Sequence, residues 1–136
     1  MAGPKVLDSF ALVAFFEDEP GAEEVERQLL KAEEAGQRLL MMAVNLGEVW
    51  YSIARTDSEK MADEKIREIQ GMAIEIVDAD WTLTRQAAAF KAKGKISYAD
   101  CFAAALAKLR KTEVITGDPE FKQLEGEVKI HWINKA

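Results

Sequence analysis

Four acidic residues differ from the others in the chain because apolar or small residues surround each of them. They are Asp8 in VLDSFAL, Glu48 in VNLGEVWY, Asp100 in SYADCFAAA and Asp118 in VITGDPEF. Many of the 24 acidic residues lie in charged runs typical of solvated helix faces. If the four carboxylates converge, their mutual repulsion raises their pKa values and opposes folding. A bound divalent cation removes that cost, so the pattern indicates a metal site.

The residue types favour a hard cation. Mg²⁺ and Mn²⁺ take oxygen ligands, whereas zinc sites use cysteine and histidine. The sole histidine, His131, lies in a predicted strand and is interpreted as structural, and the sole cysteine, Cys101, is interpreted as core packing. Such a cation polarises phosphoryl oxygens and activates water, which indicates chemistry on phosphate esters. GxxxxGK[ST], GxSxG and HExxH motifs, and a GxGxxG after the first strand, are absent from the sequence.

The elements that must position these acids alternate along the chain. Short apolar runs predict strands at about 5–8, 38–42, 74–77, 113–116 and 129–133. Helical patterns lie between them. The alternation predicts an α/β fold with a central, mostly parallel five-stranded sheet covered on both faces. Asp8 and Asp118 end strands, and the carboxyl ends of strands are where such folds bind ligands.

Helix start signals bear on the same acids. Four residues are predicted to begin helices: Asn45, Ser58, Asp80 and Ser97. Glu48 then lies in the first turn of the helix that begins at Asn45, and Asp100 in the first turn of the helix that begins at Ser97. An acid there gains about 0.3–1 kcal/mol from the helix dipole. Helix capping or the helix dipole therefore accounts for the position of Glu48, or of Asp100, when either acid is considered alone. It does not explain Asp8 or Asp118, nor why all four should converge.

Composition predicts one soluble globular domain over residues 1–136, with 49% hydrophobic and 31% charged residues. The single cysteine favours a reducing compartment. The apolar run 10–16 is too short to span a bilayer and no basic segment precedes it, so we expect a cytoplasmic protein with no membrane contact. The net charge of −6 is unusual for a nucleic-acid binder.

Four segments together resemble a known family. VLDSFALVAFF, NLGEVWYSIAR, ISYADCFAAALAK and VITGDPEFKQLE resemble, in order and spacing, the motifs of PIN domains, and specifically of VapC toxins from toxin–antitoxin pairs. The resemblance covers residues 6–133. It implies a three-layer α/β/α fold and a metal-dependent ribonuclease that uses Mg²⁺ or Mn²⁺. It also implies an acidic quartet that serves as catalytic and metal-binding residues: Asp8, Glu48, Asp100 and Asp118.

The resemblance also implies supporting residues. Ser9 matches a small hydroxyl position after the first aspartate, Asn45 a polar position before the second acid, and Thr116 a hydroxyl position before the fourth. Glu120 matches a position where a further acid sometimes contributes, although exposure at a helix start explains it about as well. Phe10 departs from the family, which commonly has a small or polar residue there.

The leading hypothesis is an endoribonuclease toxin of a type II toxin–antitoxin system that hydrolyses RNA phosphodiester bonds and is held inactive by a small VapB-like antitoxin. A homodimer is expected, partly because Trp50, Tyr51 and the 61–72 stripe offer apolar surface. One alternative is an RNA-processing PIN nuclease without an antitoxin, and another is a catalytically inactive PIN binding module.

Phosphate binding needs positive charge, and two groups of basic residues flank the Asp100 helix. Lys91, Lys93 and Lys95 precede it and are the better candidates for contacting RNA. Lys108, Arg110 and Lys111 close the helix, where favourable interaction with the helix C-terminus explains them.

Overall fold

Five strands form the central sheet of the computed structural model, which describes residues 3–134. They are β1 (Val6–Leu7), β2 (Leu39–Met42), β3 (Ile74–Val77), β4 (Glu113–Thr116) and β5 (Lys129–Trp132). Their order is β3-β2-β1-β4-β5, and every pairing is parallel. The predicted α/β fold is confirmed, and the sheet is more regular than the mostly parallel one expected. Of the predicted domain 1–136, residues 1, 2, 135 and 136 lie outside the described residues.

Helices cover both faces of this sheet. They are α1 (Ser9–Phe16), α2 (Ala22–Glu34), α3 (Ala43–Thr56), α4 (Glu59–Gln70), α5 (Trp81–Lys93) and α6 (Tyr98–Leu109), with a 3₁₀ helix at Pro119–Leu124. Alternate strand residues point to opposite faces. Val6 joins the core beneath α5 and α6, whereas Leu7 joins the core beneath α1 to α4. The result is the three-layer α/β/α arrangement.

Helix α6 is the most deeply buried helix and crosses the centre of one face. Its residues from Asp100 to Ala107 are all buried, and the alanines among them let the helix approach the strands closely. Cys101 is part of this core, and burial raises the pKa of its thiol to about 11. The expectation that Cys101 serves packing is confirmed.

The strand order brings the carboxyl ends of β1, β2 and β4 together. The chain leaves β1 for β2 on one side and returns to β4 on the other, so a topological switch point lies between β1 and β4. Such a switch leaves a crevice beyond the strand ends where α/β proteins bind ligands. Asp8 and Asp118 follow the two strands that flank it.

Two expectations about α3 are wrong. β2 passes into α3 without a loop, so the helix begins at Ala43 with Met42 as its N-cap, and Asn45 lies inside the first turn rather than capping it. Glu48 is therefore in the second turn, and the first turn of α3 contains no acid. By contrast, Ser58, Asp80 and Ser97 do cap α4, α5 and α6.

The expectation that helix capping does not explain the positions of Asp8 and Asp118 is also wrong. Asp8 is the N-cap of α1 and accepts a hydrogen bond from the Ala11 amide at 2.8 Å. Asp118 is the N-cap of the 3₁₀ helix and accepts from the Glu120 amide at 2.9 Å. The turn from strand to helix is tight in both places: Asp8 directly follows β1, and only Gly117 separates β4 from Asp118.

Two surface features bear on partners. Within residues 3–134, no helix combines the length and the apolar composition that crossing a membrane requires. Part of the 61–72 stripe is not available as surface, because Ile66, Ile69 and Met72 pack against the core. Tyr51 remains 44% exposed.

Candidate functional site

Asp8 forms the buried floor of the candidate site. The β1–β4 register pairs Leu7 with Ile115, which sets Asp8 beside Thr116. The Thr116 hydroxyl donates to Asp8 Oδ2 at 2.5 Å, and the other carboxylate oxygen accepts the capping bond from α1. Burial raises the pKa of Asp8 to about 8 despite these two hydrogen bonds, and the charges of Asp100 and Asp118 add to the increase.

Asp118 and Glu120 stand at the end of β4. Thr116 fixes the local backbone, because its hydroxyl oxygen accepts a hydrogen bond from the Asp118 amide at 3.0 Å. Pro119 then starts the 3₁₀ helix, whose tight first turn places Glu120 next to Asp118. Asp118 is partly buried and Glu120 is exposed.

Asp100 reaches the same edge of the sheet from α6. The Ser97 hydroxyl caps that helix by accepting from the Asp100 amide at 3.2 Å, so Asp100 lies in the first turn as predicted. Its side chain is buried. Burial raises the pKa of Asp100 to about 7, and the charges of Asp118, Glu48 and Glu120 contribute.

Glu48 is held by two donors on a single oxygen. Its Oε1 accepts from the Ser9 hydroxyl at 2.8 Å and from Asn45 Nδ2 at 3.0 Å. Asn45 also donates to the Ala99 carbonyl at 3.1 Å, which ties α3 to the start of α6. Within residues 3–134, no hydrogen bond engages Glu48 Oε2. The supporting positions Ser9, Asn45 and Thr116 thus each contact one of the four acids or the backbone beside it.

A cavity of about 380 Å³ brings most of these groups together. Glu48, Asp100, Asp118 and Glu120 line it, whereas Asp8 lies beneath it and does not contribute to the lining. Among residues 3–134, the cavity lining includes no lysine or arginine, and none of these acids forms an ion pair with either. The cavity is therefore a concentration of uncompensated negative charge.

The donor set fits a divalent cation with oxygen ligands. One carboxylate oxygen from each of Asp100, Asp118 and Glu120 lies within 4.8 Å of the others, and histidine and cysteine do not take part in this group. Hard cations such as Mg²⁺ and Mn²⁺ prefer this chemistry. Glu120 belongs to this group although the predicted quartet does not include it. The sequence feature that indicates its position is Asp118-Pro119-Glu120, because a proline after the cap residue begins a tight helical turn.

Two other predictions concern residues away from the cavity. Lys91 Nζ donates to the Ile96 carbonyl at 2.9 Å, and Lys93 and Lys108 both pair with Glu127, at 3.8 and 3.5 Å. Glu127 precedes β5, at the amino edge of the sheet, so Lys93 is not directed at the acids. His131 contacts Glu24, at 2.6 Å, and Lys5, at 3.1 Å, and it does not line the cavity.

The family model of the PIN domain matches residues 5–127. The chain belongs to the PIN domain family, and the resemblance drawn from its motifs is confirmed. A comparison with curated protein sequences gave no match.

Solved structures share this fold over nearly the whole chain. DNA-bound VapBC from Salmonella typhimurium is 16% identical, with a TM-score of 0.75 over 96% of this chain and 98% of that one. VapBC-5 from Mycobacterium tuberculosis is 22% identical, with a TM-score of 0.59 over 98% and 99%. VapC20 from the same organism, a Sarcin-Ricin loop cleaving toxin, is 14% identical, with a TM-score of 0.68 over 91% and 96%. At these identities the similarity shows a shared fold.

Proposed function

We propose that the chain is the Mg²⁺- or Mn²⁺-dependent endoribonuclease toxin of a type II toxin–antitoxin pair. The observation that carries the proposal is the cavity of Glu48, Asp100, Asp118 and Glu120, whose charges no lysine or arginine within residues 3–134 neutralises. Such a cluster opposes folding unless a cation or a proton compensates it. The inactive-module alternative gives no reason to maintain that cost.

The acids take three different roles in this proposal. Asp100, Asp118 and Glu120 supply the cluster of ligand oxygens, and Glu48 presents Oε2 because Ser9 and Asn45 hold Oε1. Asp8, in its ionised form, would contribute negative charge from beneath, and any direct ligation by it would use lone pairs that Thr116 and Ala11 leave free. A divalent cation held there would polarise the scissile phosphate and lower the pKa of a bound water.

The proposed antitoxin is a small VapB-like protein. Structures with the same fold include VapBC complexes, and the acidic cavity suits an arginine side chain, which binds carboxylates through two hydrogen bonds. A second cavity of about 510 Å³ adjoins the first, since both are lined by Val13 and Ser52. It combines apolar and acidic side chains, which suits a basic amphipathic helix. The RNA-processing alternative lacks such a partner.

Two further expectations belong to the proposal. The buried thiol of Cys101 and the absence of a second cysteine fit a cytoplasmic location. We expect a homodimer, although Ile66, Ile69 and Met72 of the 61–72 stripe pack inward and leave less apolar surface for it than the sequence suggests.

The test of the function uses purified protein, Mn²⁺, total tRNA and structured ribosomal RNA fragments. We expect the wild type to cut RNA and Asp100→Asn to lose cleavage while remaining folded. Glu26→Gln is the matched control, because Glu26 is an exposed acid on α2 outside the cavity. In cells, the chain alone should arrest growth, and co-expression of an adjacent small gene should relieve the arrest. Uncut RNA, or an Asp100→Asn variant as toxic as the wild type, would contradict the proposal.

A further inference from the structure

Two aromatic side chains border the acidic cavity and have no part in holding a cation. Phe10 is 38% exposed and Tyr51 is 44% exposed, and both line the cavity with the four carboxylates. A single exposed aromatic residue needs no explanation. Two that line one charged cavity place aromatic surface directly beside the acids.

The Phe10 ring is fixed against the backbone that carries Asp118. Gly117 is buried, and a Cβ atom at this position would lie 2.5 Å from Phe10 Cε1. The ring therefore occupies the space that a side chain at position 117 would need. Asn134 donates to the Gly117 carbonyl at 3.3 Å and holds the same segment from the other end of the chain. Phe10 is thus placed next to the acidic cluster by packing.

The Tyr51 ring contacts a cation. The Arg55 guanidinium lies 4.7 Å from the ring centroid, one helical turn further along α3. A cation over an aromatic face is attracted to it. Arg55 also brings positive charge close to a cavity whose lining within residues 3–134 includes no basic side chain.

Nucleobases are the ligand chemistry that these features fit. The acids repel phosphate, and Lys93 and Lys108 are engaged with Glu127 rather than directed at the cavity. Favourable contacts with RNA must therefore come in part from uncharged surface. Every nucleobase has a flat face that stacks on an aromatic ring, and it can do so only when it is unpaired and unstacked from its neighbours.

We infer that Phe10 and Tyr51 form a base-stacking platform that holds an unpaired nucleotide of single-stranded or looped RNA beside the acidic cavity. This inference rests on the proposed ribonuclease function and names the two side chains that position the base. The platform restricts cleavage to unpaired segments, because bases in a duplex cannot reach the rings.

The experiment is steady-state cleavage, with Mn²⁺, of a random-sequence single-stranded oligoribonucleotide and of the same RNA annealed to its complement. Phe10→Ala and Tyr51→Ala should each raise KM for the single strand roughly ten-fold, as expected for the loss of one base–aromatic stack, with kcat nearly unchanged. Phe10→Trp should retain the wild-type KM, because it keeps a stacking surface. The control is Trp81→Ala, which removes a 73% exposed ring outside the cavity and should change neither constant.

The possible failures are distinguishable. If the wild type cuts no RNA, the proposed function fails and takes this inference with it. If the wild type cuts RNA and both alanine variants keep its KM, the platform alone is overturned. If these variants keep KM but lose binding to the antitoxin, the rings contact a protein partner instead, which also overturns the platform.

Discussion

The Thr116 hydroxyl donates a hydrogen bond to Asp8 Oδ2 at 2.5 Å inside the protein. The same hydroxyl oxygen accepts from the Asp118 amide at 3.0 Å. One side chain therefore joins the acid that ends β1 to the acid that ends β4, across the switch point of the sheet. The parallel register of β1 and β4 produces this contact.

Replacing Thr116 with valine keeps the side-chain shape and removes the hydroxyl. We expect the free energy of unfolding to fall by about 1–3 kcal/mol, because a buried carboxyl group and a partly buried amide lose their partner. Affinity for Mn²⁺ should also fall, because Asp8 and Asp118 lose their common support. Chemical denaturation and calorimetry measure the two effects. Thr116→Ser retains the hydroxyl and serves as the control, and a valine variant as stable as the serine variant would contradict the account.

The stability of the metal-free protein should depend on pH in a defined direction. Burial raises the pKa of Asp8 from 3.8 to about 8 and that of Asp100 from 3.8 to about 7. The folded protein therefore binds more protons than the unfolded chain between these values, and stability falls as the pH rises through this range. Thermal denaturation in a chelator should give a lower Tm at pH 8 than at pH 5.

Two additions sharpen this experiment. Mn²⁺ should restore Tm more at pH 8 than at pH 5, because it replaces the lost protons. Asp8→Asn should raise the Tm of the metal-free protein at pH 8, because a neutral amide removes the buried charge. A metal-free Tm that rises steadily from pH 5 to pH 8 in the wild type would contradict the role assigned to these two acids.

His131 should matter for stability and not for activity. Lys5 Nζ can only donate, so His131 Nδ1 accepts and Nε2 carries the proton that it donates to Glu24 at 2.6 Å. This bond links β5 to α2. His131→Phe should lower the free energy of unfolding by about 1–3 kcal/mol. Mn²⁺ affinity and RNA cleavage by the folded variant should match those of the wild type, and a loss of Mn²⁺ binding would contradict its structural role.

The expected homodimer has a direct check. Light scattering at micromolar concentration should give the mass of two chains, twice 15.2 kDa. A wild-type protein that scatters as a single chain would contradict the dimer.

Sequence reasoning succeeded where the signals were local. Asp118 ends a run of β-branched residues and precedes a proline, so its place at a strand end follows from neighbouring residues alone. The helix starts at Ser58, Asp80 and Ser97 follow from the sequence for the same reason. The strand–helix alternation was sufficient to predict the layers of the fold.

It failed where contacts between distant segments decide the outcome. The start of α3 depends on how β2 passes into it, which moved Asn45 from a cap into the helix, where it binds Glu48. The bond from Ser9 to Glu48 joins segments that are far apart in the chain, as does the pairing of Lys93 with Glu127. The grouping of Glu120 with Asp100 required both a 3₁₀ turn and the packing of α6. Periodicity carries none of this information.

The most direct test of the central claim is calorimetric titration of Mn²⁺ into the metal-free protein. The account predicts that the wild type binds Mn²⁺ and that Asp118→Asn, Asp100→Asn and Asp8→Asn each weaken binding by about ten-fold or more, equivalent to at least about 1.4 kcal/mol. Glu26→Gln should bind as the wild type does, because its carboxylate is exposed on α2. If Asp8→Asn and Asp118→Asn bind Mn²⁺ as tightly as the wild type, these acids do not form the metal site.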